Sequence, residues 1–459
     1  MSAPATRGLA RFVAESSAAT IPAEVLHRTR TLVRDGAGCL LAAANPEFST
    51  GRLIAGFARA AGGIAEASVV GHGFKTDVVN AALANGTMGY ACDFEPHHPE
   101  GILHPIAVLL PTALALAERD GADGRALLAA VAVGTEVEYR VSMALGPAEQ
   151  YHLGFHPSAV CGSFGAAAAA ANLLGLDEDA AVRALGLAAC QASGLMAWES
   201  DPTENARPFQ MGLAARNGVT AALLAKSGFG APGAVFDHGH TVYNAFSRNP
   251  APARLLQDLG RRYDGIMELA VKPYPCVAFL HPALDALLAL LDEHDIEAGA
   301  VERVAMRFAR SGVHCVDGNP LKSHSAQYVL AVAIARRALQ VADIFVDARE
   351  RDPVIRSLSE RIEVIADDGE LEAMFPDFYA ARLEVTTRDG GRHATDAKVA
   401  RGYPETPLGE AELEAKFRRL AGSVAAPERV ERLWTLLSGL HESGDAATLA
   451  ALLGAPAGA

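Results

Sequence analysis

The sequence predicts a mainly α protein. It reads as a large all-α helical domain built from both ends of the chain, with a smaller α+β domain inserted at about residues 268–399. Three observations carry this. Apolar positions recur at helical spacing almost without a break to about residue 267. After Lys272 the texture changes to short alternating runs, and from about residue 400 the helical spacing returns. Half of the residues are hydrophobic but only 6% are aromatic, and the excess is Ala and Gly. Such a composition suits helices packed closely through small side chains. With 459 residues the chain is long enough for two domains or more. The expected division is 1–267 and 400–459 in the helical domain and 268–399 in the inserted one.

Taken in order, "IPAEVLHRTRTLVRDGAGCLLAA" places Val25, Leu26, Thr29, Leu32 and Val33 on one helical face. "TDVVNAALA", "GRALLAAVAVGTEVEYRVSMAL" and "DEDAAVRALGLAACQASGL" read the same way, the last with acidic residues in its first turn. Gly175, Gly228 and Gly230 are expected helix stops. "VERVAMRFA" (Val301 to Ala309) alternates like a strand, and "SAQYVLAVAIARRALQ" returns to a helix. "RIEVIAD" is a second strand. "ARLEVTTRDGGRHATDAKV" is a hairpin turning at Asp389-Gly390-Gly391. "PLGEAELEAKFRRLAG" opens the final helices, and the tail "LLGAPAGA" is expected to fray. No fixed period recurs, which argues against a solenoid.

A net charge of −14 with no Lys/Arg stripe argues against nucleic acid as a partner, because nothing would neutralise phosphates. Six scattered cysteines without a CxxC pair point to a reducing cytosol, so a cytoplasmic location is expected. The start carries Arg7, Arg11 and Glu15 and no apolar stretch of signal-peptide length. The stretch from Ser158 to Leu176 has no charge, yet Ala dominates it. A buried helix is therefore expected rather than a membrane span.

The most informative stretch is "NGTMGYACDFEPHHPEGILHP", Asn85 to Pro105. It places Asp93, Glu95, His97, His98, Glu100 and His104 in a Gly- and Pro-broken run between two apolar helices. Polar titratable groups in such a break are costly to hold unless exposed or paired, and acid/base sites are built from groups held that way.

That stretch, together with "GFHPSAVCGSFGAAAAAANLLGLD", "QASGL", "RPFQMGLAARNGVTAALLAKSGFGAP", "VKPYPC" and "SAQYVLAVAIA", resembles the signatures of the MmgE/PrpD family, in order and over nearly the whole chain. The family includes 2-methylcitrate dehydratases, cis-aconitate decarboxylases and an iminodisuccinate epimerase. The resemblance implies a helical domain with an α+β lid, a homodimer, and an active site between the domains. It also implies site residues. Asp93 matches the first Asp of the family's "DFDD", His104 the His of the following "HP", and His156 the His of "FHP". Lys272 matches the Lys of "KPYPC", and Tyr328 the Tyr of the lid helix. His156 opens the Ala-rich helix, where unpaired N–H groups suit an anion. Three positions depart from the pattern: Pro96 stands for the second Asp, Tyr90 for a His often found before the motif, and Arg207 for a Lys. Arg207 keeps the positive charge and gains a fork for carboxylate, but it cannot act as a base near neutral pH.

All of these reactions move a proton at a carbon next to a carboxylate on a small anionic polycarboxylate. They need cations to hold the substrate, for which Arg207 and Lys272 are expected with His97 beside them. They need an acid and a base, for which His104 and His156 are expected, with Asp93 orienting one of them or the substrate and Tyr328 closing over the ligand. The expectation is an enzyme without a metal or cofactor. Adjacent His97 and His98 diverge, which disfavours a metal site, and the cysteines are too scattered for an iron–sulfur cluster. Dehydration of a citrate-like hydroxy acid is the leading reaction, with cis-aconitate-type decarboxylation or epimerisation as alternatives. A non-catalytic binding or scaffold protein on the same fold is the rival. Structural roles compete at each position: Asp93 as a turn residue, His156 as a helix cap, Tyr328 as packing. His281 and His324 are read as structural.

Overall fold

The computed structural model describes residues 4–443 and 445–458. The protein is mainly α and divides into two compact units. The first comprises Met1–Ala91, Glu95–Ala270 and Glu410–Ala459; the second comprises Cys92–Phe94 and Val271–Gly409.

In the first unit the abundance of Ala and Gly has a direct consequence, because helices meet backbone to backbone. A Cβ added at Gly212, in the helix Ala206–Lys226, would lie 2.2 Å from Thr87 Oγ1 and 2.3 Å from Leu83 O in the helix Val78–Ala91. One added at Gly218 would lie 2.4 Å from the carbonyl carbon of Ala166, in the helix Pro157–Leu173. The helices Val78–Ala91, Pro157–Leu173, Gly124–Leu145 and Pro105–Asp120 are buried almost throughout. The uncharged Ala-rich segment is therefore core. Among the described residues no helix is long and apolar enough to cross a membrane.

The end of the chain returns to the first unit through charged contacts. Lys416, in the helix Glu410–Gly422, meets buried Asp35 at 2.8 Å. Arg34 forks onto Glu410 at 2.6 and 2.8 Å and lies over the Trp434 ring. Two expectations need correction here. The unit is not wholly α: β1 (Ala67–Val69) and β2 (Phe74–Thr76) pair antiparallel, and three residues per strand are too few to show alternation in sequence. The tail does not fray over the described residues. Arg429 donates to the carbonyls of Leu452, Leu453, Ala455 and Pro456, and Ala457 N–H donates to Gly71 O.

The second unit holds a four-stranded sheet in the order β4-β3-β5-β6. Here β3 is Val301–Ala309, β4 Ile362–Asp367, β5 Ala381–Thr387 and β6 Arg392–Ala397. β4 runs parallel to β3, whereas β5 is antiparallel to both β3 and β6, and the hairpin turns where the glycines stand. Alternation along β3 and β5 sends Val304, Met306, Phe308, Leu383 and Val385 inward. There they pack with Leu284, Leu287 and Leu291 from the helix His281–Glu293 and with Tyr328 and Leu330 from the helix Ala326–Arg336.

Candidate active site

The helix before the titratable run extends through Ala91, so the irregular segment is Cys92 to His104 rather than starting at Asn85. Gly86 and Gly89, which look like breaks in sequence, stand where Gly212 and Ala107 approach. The segment ends at His104-Pro105, and the same dipeptide recurs at His156-Pro157. Both prolines take the first helical position, where a missing N–H is harmless, and both push the preceding residue out of the helix. Neither histidine caps its helix through the side chain. Both imidazoles are thereby delivered at helix starts with their rings turned to other partners.

In the first unit these partners are specific. His104 Nδ1 lies 2.7 Å from Oε1 of Glu95, whose side chain is fully buried. Because a carboxylate oxygen accepts, Nδ1 carries the hydrogen and Nε2 is the nitrogen that takes or gives the second proton. His156 Nδ1 donates to Gln210 Oε1 at 2.9 Å, and Gln210 is held in turn by donation to Leu195 O. The His104 backbone N–H donates to Ser158 Oγ at 3.1 Å, tying one histidine to the helix that the other opens. Tyr90 links the pair, with its ring centroid 4.5 Å from that of His104 and 6.1 Å from that of His156. The Arg207 guanidinium lies 4.8 Å from the Tyr90 ring and 5.3 Å from the Trp198 ring. His97 is 6.1 Å from His104, ring to ring, and its backbone bridges Ala270. Together these set two imidazoles of fixed tautomer beside a buried guanidinium.

The rest of the run is architectural. His98 is buried and stacked on Tyr139. Its Nδ1 accepts from Gly101 N–H, its Nε2 donates to Asp264 O, and burial pushes its pKa down to about 4. Glu100 accepts from Tyr139 OH.

In the second unit Asp93 sits at φ 49°, a left-handed conformation that Asp tolerates, and its Oδ1 is 2.5 Å from Lys272 Nζ. Both side chains are 2% exposed. Lys272 also donates to the Asp93 carbonyl at 3.1 Å. His281 Nε2 donates to Cys276 O, and burial lowers its pKa to about 3. His324 Nδ1 contacts Ser323 Oγ. Tyr328 is fully buried in the core. Its hydroxyl donates to Asp343 O, accepts from Ala348 N–H at 3.0 Å, and has its pKa pushed up to about 12 by burial. In this arrangement that hydroxyl is committed to backbone.

Residues 7–255 match the MmgE/PrpD N-terminal domain and residues 274–442 match the MmgE/PrpD C-terminal domain. The chain belongs to the MmgE/PrpD family. Among its relatives, it is 29% identical to "Cis-aconitate decarboxylase-like protein oryM" of Aspergillus oryzae, over 98% of this chain and 97% of that one. It is 27% identical to "Cis-aconitate decarboxylase" of Aspergillus terreus, over 95% and 93%. It is 28% identical to "Cis-aconitate decarboxylase" of Homo sapiens, over 82% and 79%.

Of the expected site residues, the structure gathers His104, His156, Arg207 and His97 in the first unit, pairs Asp93 with Lys272 in the second, and places Tyr328 in the second unit's core. Sequence reasoning gave no role to Glu95, Trp198, Gln210 or Ser158. Glu95 had a signal, as a carboxylate in the same broken run as His104. Trp198, on the short 3₁₀ turn Met196–Ser200, had none, because no periodicity marks that segment.

Proposed function

We propose that this MmgE/PrpD protein is a metal-independent lyase acting on a small polycarboxylate, with decarboxylation of a cis-aconitate-like acid as the reaction to test first. The observation that carries the reading is the pair of tautomer-fixed histidines, His104 on Glu95 and His156 on Gln210, beside buried Arg207. The relatives' names favour decarboxylation over dehydration of a citrate-like hydroxy acid, which the shared motifs alone put first. In such a decarboxylation a C–C bond breaks to release CO₂ and its electron pair becomes the new double bond. The pair of the old double bond then takes a proton at the carbon next to a carboxylate. A histidine Nε2 delivers that proton, and Arg207 with Lys272 holds carboxylates against it. Asp93 orients Lys272, and the second unit, carrying Tyr328, serves as the lid of a cytoplasmic homodimer.

The test is incubation with cis-aconitate, 2-methylcitrate, citrate and iminodisuccinate in D₂O, each with and without EDTA. The expected result is CO₂ release from cis-aconitate with one deuterium placed on carbon, unchanged by the chelator. Water loss from a citrate-like acid as the faster reaction would restore the dehydratase reading. Neither turnover nor deuterium uptake with any substrate would leave a binding or scaffold protein, and loss of activity in EDTA would overturn the metal-free part.

A further inference from the structure

Tyr90 and Arg207 stand 117 positions apart in the chain. In the structure they touch. The guanidinium carbon lies 4.8 Å from the Tyr90 ring centroid and 5.3 Å from that of Trp198. Arg207 is only 3% exposed, and both rings are buried as well. A planar cation resting on aromatic rings is attracted by their negative faces, and the attraction grows when water is excluded. The contact also fixes orientation: once its face is taken by rings, a guanidinium meets a ligand through its N–H edge. That edge matches the two oxygens of a carboxylate, whereas a lysine ammonium has no plane to stack and no fork to aim.

We propose that Tyr90 is a positioning residue which, with Trp198, holds the Arg207 guanidinium so that it receives one substrate carboxylate edge-on. The inference rests on the polycarboxylate reading of this site and adds what sets the orientation of its cation.

Trp198 supplies a readout that does not depend on turnover, since the chain has two tryptophans and the other, Trp434, stacks on Arg34 and Phe417. In a Trp434→Phe background the emission reports Trp198, and it is titrated with tricarballylate, a saturated tricarboxylate with no double bond to rearrange. Tyr90→Phe keeps the ring and should bind within about twofold of its parent. Tyr90→Leu removes the ring and should weaken binding about 3- to 30-fold, the range a partly to fully desolvated cation–π contact spans. On cis-aconitate it should raise KM. In an Arg207→Ala background the same Tyr90→Leu change should add nothing. Trp198→Leu, followed by calorimetry, should reproduce the weakening and covers the case in which Tyr90→Leu fails to fold. Equal affinities for Tyr90→Leu and its parent, or the same weakening with Arg207 absent, would overturn the positioning role while leaving the enzyme reading intact. A parent protein that neither binds tricarballylate nor turns over cis-aconitate would overturn both.

Discussion

The Glu95 carboxylate and the His104 imidazole meet at 2.7 Å, nine residues apart in the chain, with the carboxylate fully buried. A buried carboxylate on Nδ1 sets the tautomer and stabilises an imidazolium when one forms. The His104 side chain is only 16% exposed, so this partner contributes in a poorly solvated setting.

His104→Ala should therefore lose about 10²- to 10⁴-fold in kcat, the usual worth of a positioned proton transfer. Glu95→Gln keeps an acceptor but removes the charge, and should lose less than His104→Ala and mostly in kcat. His156→Ala should resemble His104→Ala, with Gln210→Ala milder. Steady-state kinetics on the best substrate decides this. A His104→Ala enzyme with near wild-type kcat would make that histidine structural.

Lys272 and Asp93 form a buried pair, and removing one partner of such a pair is more damaging than removing both. Lys272→Ala leaves the Asp93 carboxylate buried against a void and should destabilise the protein by about 3–5 kcal/mol. The double variant Lys272→Met/Asp93→Asn, which keeps a residue that tolerates the left-handed backbone, should recover a large part of that loss in denaturant titration while remaining inactive. If the double variant is no more stable than Lys272→Ala alone, the pair is not what holds that part of the second unit.

His98 makes the folded state sensitive to acid. Its folded pKa is about 4 against an ordinary 6.5, because burial disfavours the charged ring. The unfolded chain therefore binds the proton first as pH falls. The contribution is complete above pH 6.5 and is lost as pH drops through 4, amounting to roughly 3 kcal/mol. Thermal unfolding of His98→Gln should show a lower midpoint at pH 7.5 but a shallower decline from pH 6.5 to 4. Parallel declines for the two proteins would show that His98 does not set the acid limb.

Much of this fold was legible because its signals are local. Alternation over Val301–Ala309 and the glycines of Asp389-Gly390-Gly391 each dictate structure within a few residues, and both appear where expected. The His-Pro dipeptides likewise mark helix starts. What sequence could not give depends on distant partners. Gly86 and Gly89 read as breakers, yet they are interior helix residues whose missing Cβ lets Gly212 and Ala107 close in. The tail reads as frayed until Arg429 is seen gathering its carbonyls. Likewise the stacking of Tyr90, Arg207 and Trp198 and the pairing of Asp93 with Lys272 join positions with no shared periodicity.

Glu138 is the counterpart of His98 on the alkaline side. It lies wholly buried in the helix Gly124–Leu145, and neither carboxylate oxygen has a hydrogen-bond partner among the described residues. The Cβ that Gly165 lacks would sit 2.8 Å from the Glu138 Cβ, so the facing helix backbone shuts out water. The nearby titratable group is Cys161, itself pushed up chiefly by burial and bonded to Gln150. Burial alone holds the Glu138 carboxyl well above the ordinary 4.5. With a raised folded pKa, stability is complete below pH 4.5 and falls as pH rises toward the folded value, because the unfolded chain gives up its proton first. Glu138→Gln keeps the shape, cannot ionise, and carries a constant penalty of about 1–3 kcal/mol for its own unpaired amide. The informative quantity is therefore the difference in unfolding free energy between variant and parent across pH. It should move steadily in the variant's favour from pH 5 to pH 8, and a difference that stays flat over that range would mean Glu138 is ionised and partnered in the native protein.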